Sequence, residues 1–350
     1  MRPEDGKILR IVSLLPSITE ILSAIGAAEQ IVGITHECDY PPEVASRAVV
    51  VTTSEINPHT MSQEEIHEAV CGSLKNGHSL YGISKEALRS VNADIIFTQQ
   101  LCDVCAVSYP VVLETCAQIV AGPPVPVSLG DTELTCGLDD LSLYPRVVSL
   151  EPTNLEDVLK TILIAGKELG LEREDCARLK VQELRAGFET IRECVKGRER
   201  PTVAFIEWHD PIFSGGHWIA DMVSIAGAIY TMGHSGQRSI KLNDEEFIDL
   251  DPDIILIGPC GFSLERSLAD TIALNNKRSW WKEMRAVISD NVFVLDGNQF
   301  YARPGPRLLQ GCGIMAACIH GEEVRNKLGE SLAPSYGFAR VTADMYLPSN

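Results

Sequence analysis

The chain has 350 residues, of which 45% are hydrophobic and 22% are charged, and its formal net charge is −18 at pH 7. This length is enough for two cores of ordinary size, and the composition is that of a globular protein rather than a disordered one. The acidic balance, with no local cluster of lysine and arginine, argues against nucleic acid and anionic membrane surfaces as partners.

The amino terminus goes straight into a strand-like run, and the most apolar later stretch, 308–319, is too short to span a bilayer. We therefore expect no export signal and no membrane insertion. The eleven cysteines are an odd number scattered along the chain, which does not suggest a disulfide framework. Together these features predict a cytoplasmic protein whose thiols are mostly small buried hydrophobes.

The first part of the chain, residues 1–150, predicts an N-terminal α/β lobe. Its first helix follows a capping-box pattern, Ser17-Ile18-Thr19-Glu20, and should end at Gly26. The remaining elements follow from apolar periodicity and turn residues. Strands are expected at 9–15, 31–35 and 94–99, helices at 62–71 and 84–91, and a helix with two short strands within 111–150.

Residues 151–199 predict a helical connector with no strand inside it, opened by a second capping box at Thr153 and ended by Gly197. Residues 200–350 predict a C-terminal α/β lobe, whose tail after Leu332 shows no clear pattern. Its strands are expected at 202–207, 253–258 and 291–295, and its helices at 218–227, 244–250, 264–274, 278–286 and 306–319. The predicted fold class is α/β, with two Rossmann-like, doubly wound lobes joined by a long backbone helix.

Cysteine follows a short apolar strand in both lobes, after Asp94-Ile95-Ile96-Phe97 and again after Asp253-Ile254-Ile255-Leu256. In the first lobe the turn carries Cys102-x-x-Cys105, a spacing that suits one metal ion, a redox disulfide or plain turn packing. A structural zinc site needs four ligands. Completing one here would require Cys38, His36 or Cys260 from other strand ends.

Three further turns carry side chains suited to a ligand. Glu207-Trp208-His209-Asp210 and Gly215-Gly216-His217-Trp218 combine indoles, imidazoles and carboxylates, which suits a large, flat, polar-edged ligand, although both tryptophans could also be core. Arg303, in a proline-rigid turn after Tyr301, could direct its guanidinium at a carboxylate or amide, or form a salt bridge. His36-Glu37-Cys38-Asp39 suits a metal, a polar ligand or acid-base work, and Asp39 capping the turn is the alternative.

Common enzyme motifs are absent from the sequence: there is no G-x-G-x-x-G, Walker A, G-x-S-x-G or H-E-x-x-H. Nucleotide binding and hydrolysis therefore have no support, and no nucleophile is indicated.

Several of these segments together resemble a known group of proteins. Ile11 to Glu20, Gly33 to Pro41, Asp94 to Cys105 and Arg303 to Arg307 look like the cobalamin-binding proteins among the substrate-binding components of ABC importers. The resemblance implies two Rossmann-like lobes, a backbone helix, and one ligand held between the lobes without catalysis. It also implies that the turn from His36 to Tyr40 and aromatic residues of the other lobe contact a corrinoid.

Family members that act outside the inner membrane carry a signal peptide or lipid anchor, and this sequence shows neither, so an ABC permease is not the expected partner. Our first hypothesis is a cytoplasmic binding protein for a corrinoid such as cobalamin, another tetrapyrrole or a metal chelate, with His36 or His217 as candidate axial ligand. The ligand contacts we expect are His36, Asp39, Tyr40, Tyr81, Glu207, Trp208, His217, Trp218, Phe262, Tyr301 and Arg303.

Two other hypotheses remain open from the sequence. The first is a metal-dependent enzyme or metal sensor on the same scaffold, with zinc or iron gathered by Cys38, Cys102, Cys105 and Cys260. The second is an interaction module that has lost ligand binding.

Overall fold

The structure is a computed structural model that describes residues 8–58, 60–76, 80–99, 111–116 and 145–346. The chain divides into two compact units. The first unit comprises Met1–Asn57, Glu65–Glu151 and Ile164–Ala177, and the second comprises Pro58–Glu64, Pro152–Leu163 and Arg178–Asn350. Each unit is a mixed α/β structure with its own buried apolar cluster, so the predicted two-lobe α/β class is confirmed.

The first unit is built on five parallel strands in the order β3-β2-β1-β6-β7. These strands are β1 (Ile11–Ser13), β2 (Ile31–Ile34), β3 (Val49–Val50), β6 (Ile95–Thr98) and β7 (Arg146–Ser149). A separate antiparallel pair is formed by β4 (Thr52–Ser54) and β5 (Tyr81–Ile83). Every residue of β1 and β6 is buried, as expected for central parallel strands covered on both faces.

Among the described residues, five α-helices lie before β7 in the chain. They are α1 (Pro16–Ala24), α2 (Pro42–Ala45), α3 (Gln63–Asn76), α4 (Lys85–Ser90) and α5 (111–116). The helix predicted at 62–71 continues five residues further, to Asn76. Its polar sequence gives no apolar signal for that end, and strands of two or three residues such as β3 are below what periodicity detects.

The capping box predicted at Ser17 is wrong. Pro16 is already the first residue of α1, and Leu15 occupies the N-cap position without a side-chain cap. Proline suits the first helical position because its missing N–H is not needed there and its φ is preset. Gly26 follows the helix with a φ of +79°, the left-handed conformation that glycine adopts without strain, so the predicted end of the helix is confirmed.

The segment 151–199 contains two helices, α6 (Leu155–Leu169) and α7 (Leu171–Val195), with no strand between them. Gly170 separates them with a φ of +104°, which interrupts a right-handed helix. The cap of α6 is provided by Asn154, whose Oδ1 accepts a hydrogen bond of 2.9 Å from the backbone N–H of Asp157. The second predicted capping box is therefore displaced by one residue from Thr153.

The second unit has a mixed sheet in the order β11-β9-β8-β12-β13-β14, with β10 also pairing with β8. Strands β10, β8, β12 and β13 run parallel to one another. Strand β9 is antiparallel to β8, β11 is antiparallel to β9, and β14 is antiparallel to β13. The strands are β8 (Thr202–Trp208), β9 (Ile212–Ser214), β10 (Ile229–Tyr230), β11 (Lys241–Leu242), β12 (Ile254–Ile257), β13 (Val292–Leu295) and β14 (Phe338–Val341). The tail without a predicted pattern thus supplies the edge strand β14.

Seven α-helices are described after β8 in this unit. They are α8 (Ile219–Ile225), α9 (Asp244–Leu250), α10 (Leu264–Asn275), α11 (Arg285–Ile288), α12 (Gly297–Phe300), α13 (Leu308–His320) and α14 (Glu322–Leu332). The helix predicted at 278–286 is instead a 3₁₀ segment, Ser279–Glu283, followed by α11. Among the described helices of the whole chain, none is long and apolar enough to cross a membrane.

Helix α9 provides a test of local stability, because its capping box is complete. The Oδ1 atom of Asn243 accepts a hydrogen bond of 2.9 Å from the N–H of Glu246, whose Oε2 accepts one of 2.8 Å from the N–H of Asn243. We expect Asn243→Ala to lower the free energy of unfolding by about 1 kcal/mol, measured by urea denaturation. The exposed Asn276→Ala is the control, and equal stability of the two variants would contradict the capping role.

Candidate functional site

Most predicted ligand residues of the second unit lie at the end of β8 or after β12 and β13, whereas His217 and Trp218 follow the antiparallel strand β9. Strands β8, β12 and β13 are parallel, so their carboxyl ends lie together, which is where open α/β sheets bind ligands. We call this the carboxyl edge. It is formed by the end of β8 and by the loops that follow β8, β12 and β13.

A tilted pair of aromatic rings lies at this edge. The rings of Trp208 and Phe262 are 5.2 Å apart between centroids at an interplanar angle of 56°, and the guanidinium of Arg266 lies 4.0 Å from the Phe262 ring centroid. Trp208 is half-buried, and its indole Nε1 is a buried donor that finds no hydrogen-bond partner among the described residues. A buried N–H without an acceptor costs about 1–3 kcal/mol. A ligand that provides an acceptor for the Trp208 N–H would therefore recover that free energy.

The carboxylate of Glu207, the residue before Trp208, is held by a hydroxyl and a backbone N–H. It accepts hydrogen bonds from the Ser239 hydroxyl at 3.1 Å and from the Gly216 N–H at 3.3 Å. Beneath it, the Tyr230 hydroxyl donates to the Gly215 carbonyl at 2.6 Å. Burial, and then the charge of Glu207, raise the pKa of Tyr230, so the phenol stays neutral.

His217 is held in a constrained conformation next to Gly216. Its φ of +55° lies in the left-handed region, which is strained for a residue other than glycine and is often found at functional sites. The ring stacks on Trp218 with centroids 5.6 Å apart at 28°, and its Nδ1 is buried without a partner. Burial, followed by the charge of Arg238, lowers the pKa of His217, so the imidazole is neutral at pH 7.

Four other predicted contacts of this unit are packed inside it. Phe262, Trp218, Tyr301 and Arg303 are 2%, 7%, 3% and 4% exposed. The Trp218 indole donates to the Tyr301 carbonyl at 2.9 Å, and Arg303 donates to the Asn298 side chain at 2.8 Å. These side chains therefore support the loops of the carboxyl edge, and direct ligand contact by them stays a prediction.

His209, at the end of β8, belongs to a buried polar network. Its Nε2 lies 2.8 Å from the Thr271 hydroxyl and its Nδ1 lies 3.0 Å from Gln63 Nε2. Thr271 donates its own proton to the Ser267 carbonyl, so His209 must donate through Nε2 and accept at Nδ1. The ring is therefore neutral. Burial, then the charge of Arg278, lower its pKa from 6.5 to about 3.

This pKa shift predicts acid sensitivity with a definite sign. Below pH 6.5 the unfolded state binds a proton at His209 that the folded state excludes, so stability falls as the pH drops towards 3, by about 1.4 kcal/mol per unit. From about pH 7.5 to about pH 5.5, the wild-type protein should lose about 1.4 kcal/mol more than His209→Gln, which has a hydrogen-bonding amide that does not titrate. Urea unfolding at both pH values measures this; equal losses would contradict the assignment.

The predicted ligand residues of the first unit cluster around the turn after β2. His36 makes contacts through both ring nitrogens, since Nδ1 lies 2.8 Å from the Thr52 hydroxyl and Nε2 lies 3.4 Å from Glu37. Its ring also stacks on Tyr81, with centroids 5.7 Å apart. Asp39 and Tyr40 are exposed, so this turn presents a carboxylate and a phenol at the surface of the unit.

The predicted metal ligands do not form a cluster in the part of the chain that the structure describes. No group of three or more His, Cys, Asp or Glu side chains that could hold a metal occurs there. The Cys38 thiol is buried 3.1 Å from the Thr19 hydroxyl and 3.4 Å from that of Thr35. Cys102 and Cys105 lie outside the described residues, so their role stays a prediction, as does that of the half-buried Cys260.

Comparisons with known proteins agree with this architecture. Residues 139–299 match the periplasmic binding protein family. A structure of a periplasmic heme-binding protein from Pseudomonas aeruginosa superposes with a TM-score of 0.60 at 17% identity, over 89% of this chain and 92% of that one. The chain has the periplasmic-binding-protein fold.

Two relatives extend the match along most of the chain. An uncharacterized ABC transporter substrate-binding lipoprotein of Bacillus subtilis, YvrC, is 24% identical over 319 residues, 89% of this chain and 80% of the relative. The vitamin B12-binding protein of Vibrio cholerae is 22% identical over 303 residues, 86% of this chain and 85% of the relative. The predicted resemblance to substrate-binding proteins of ABC importers is confirmed, and a ligand-binding role is supported.

The sequence did not indicate some residues of the candidate site. Arg266, the third residue of α10, lies over the ring of Phe262, which precedes the helix. Ser239 and Gln63 have no local signal. They are distant in sequence from Glu207 and His209 and meet them only in the fold.

Proposed function

We propose that this protein binds one flat tetrapyrrole, either a corrinoid of the cobalamin type or a heme, and that the carboxyl edge of the second unit contacts it without catalysis. Metal in such a ligand is cargo rather than a resident cofactor. The names of the relatives, which include vitamin B12 and heme binders, support this ligand class. They do not separate its two members.

The observation that carries the proposal is the orphaned indole N–H of Trp208, whose ring lies against Phe262. Among the described residues, Trp208 Nε1 and, next to Trp218, His217 Nδ1 are both buried without a partner. Protein interiors satisfy nearly all such atoms, so exceptions mark sites where a ligand can complete the bonding. The amide or carboxylate groups around a tetrapyrrole provide acceptors for an indole N–H, while its flat ring suits the face of the half-buried Trp208.

Of the two candidate axial ligands, His217 is the better suited. Both ring nitrogens of His36 are already in contact with Thr52 and Glu37. His217 Nε2 makes no hydrogen bond within the described residues. The lowered pKa of this ring keeps the imidazole neutral at pH 7. A neutral imidazole is the form that binds a metal.

Titration decides whether the ligand class is right. We expect purified protein to bind cyanocobalamin, cobinamide or hemin with one site per chain, giving heat by calorimetry and a change in the visible absorption spectrum. The control is this protein unfolded in urea. Neither heat nor spectral change with all three compounds would contradict the proposal.

We also propose that the protein works in a reducing, intracellular compartment. All eight cysteines that the structure describes are free thiols, which is usual for proteins kept reduced. Fractionation of the native cells should place the protein in the cytosolic fraction. Recovery from an exported or membrane-anchored fraction would contradict this and would make delivery to an importer permease the expected role.

A further inference from the structure

A second groove in the second unit contains none of the predicted ligand contacts. It has a volume of about 560 Å³ and is bordered by the start of α6, one face of α7, helix α8 and Ser235. Its floor is apolar and well packed, since Leu155, Leu159, Phe188 and Ile225 are 7%, 5%, 4% and 3% exposed. This size falls in the range of small-molecule pockets.

The rim of the groove has alternating charges, most of which are already paired. Arg185 Nη2 lies 2.5 Å from Glu156 Oε1, and Arg192 Nη1 lies 3.3 Å from Glu189 Oε2. These exposed pairs neutralise each other, so neither guanidinium is left to attract an anion.

Asp221 is the remaining charged group of the lining. Its Oδ2 accepts a hydrogen bond of 3.0 Å from the N–H of Leu155 at the start of α6. Among the described residues no cation pairs with this carboxylate, so the lining has three carboxylates against two guanidiniums. The groove is therefore negative above an apolar floor, on a chain whose net charge of −18 also attracts cations.

From this arrangement we propose that the groove is a second binding site, for a small organic cation with an ammonium group and an apolar body. The ammonium pairs with Asp221 at the rim. The apolar body lies against Leu159, Phe188 and Ile225, and removal of the ligand's own apolar surface from water favours binding. An anion would be repelled by the carboxylate of Asp221. A purely apolar compound would provide no cation to pair with it.

The test uses phenethylammonium chloride as probe, with 2-phenylethanol and 3-phenylpropionate as neutral and anionic analogues of similar size. Ligand-observed NMR with the full-length protein should show saturable binding of the ammonium compound, at least about tenfold tighter than of either analogue. Asp221→Asn should weaken it about tenfold, equivalent to about 1.4 kcal/mol. This variant retains an acceptor oxygen for the Leu155 N–H, so the start of α6 is preserved.

Two further variants make the result decisive. Asp249→Asn makes the same charge change at an exposed position of α9 and should leave binding unchanged. Ser235→Trp, at an exposed position on the groove, should block the probe sterically while the far-UV circular dichroism stays that of the wild type. The proposal is overturned if the ammonium compound does not saturate, if an analogue binds as well, or if neither Asp221→Asn nor Ser235→Trp weakens binding.

Discussion

Trp208→Ala should weaken binding of the tetrapyrrole identified by titration by about a hundredfold. A large aromatic side chain at the centre of a site commonly contributes 2 kcal/mol or more to binding when truncated to alanine. Here the substitution removes both the ring beside Phe262 and the indole N–H that has no protein partner. Calorimetric titration of wild type and variant measures the change in dissociation constant.

A conservative variant separates the two contributions of this side chain. Trp208→Phe retains an aromatic face but removes the N–H, so it should weaken binding by about tenfold, the value of one buried hydrogen bond. Trp280→Phe is the matched control, because the Trp280 indole already donates to Asp244 at 2.9 Å in another part of the unit. Affinity of Trp208→Ala within a factor of about three of the wild type would contradict ligand contact at Trp208.

Gly297→Ala should destabilise the second unit by about 3 kcal/mol or more, the cost of severe overpacking. An added Cβ at this position would lie 2.0 Å from the Pro259 carbonyl oxygen and 2.8 Å from the Gly258 carbonyl carbon. These are backbone atoms and cannot rotate away. The loops after β12 and β13 would have to separate, which would also disturb the carboxyl edge, so both unfolding and ligand titration should report the change.

The control for this glycine is Gly72→Ala in α3. An added Cβ there meets nothing within 4 Å, and alanine is favoured over glycine inside a helix by up to about 1 kcal/mol. Urea denaturation should therefore show an unchanged or slightly higher free energy of unfolding for Gly72→Ala and a large loss for Gly297→Ala. Equal midpoints for Gly297→Ala and wild type would show that the loops yield without cost.

The central strands could be predicted because their sequences leave little choice. Residues of β12 are apolar and fully buried, and a turn follows at once, so a buried parallel strand is the natural interpretation. Strand β14 could not be found in this way. Its residues are only partly buried, and it is defined by pairing with β13, from Leu295 with Phe338 to Val292 with Val341, a contact between distant parts of the chain.

The candidate site shows the same division between local and distant information. Trp208 and His217 could be identified as candidates because indole and imidazole after a strand are informative residue types. Whether such a side chain faces a ligand or the core depends on its neighbours in the fold. Trp218 illustrates this, because its indole is directed inward to the Tyr301 carbonyl, and nothing in the Gly215-Gly216-His217-Trp218 segment indicates that direction.

Native mass spectrometry, combined with an absorption spectrum, tests the central claim most directly. The protein is examined as isolated and again after incubation with cobalamins, cobinamide and heme. We expect the polypeptide of 38.3 kDa to gain the mass of one tetrapyrrole, with the corresponding visible absorption bands, and Trp208→Ala to lose most of that species. A mass of the polypeptide alone under every condition, without visible absorption, would contradict tetrapyrrole binding by this protein.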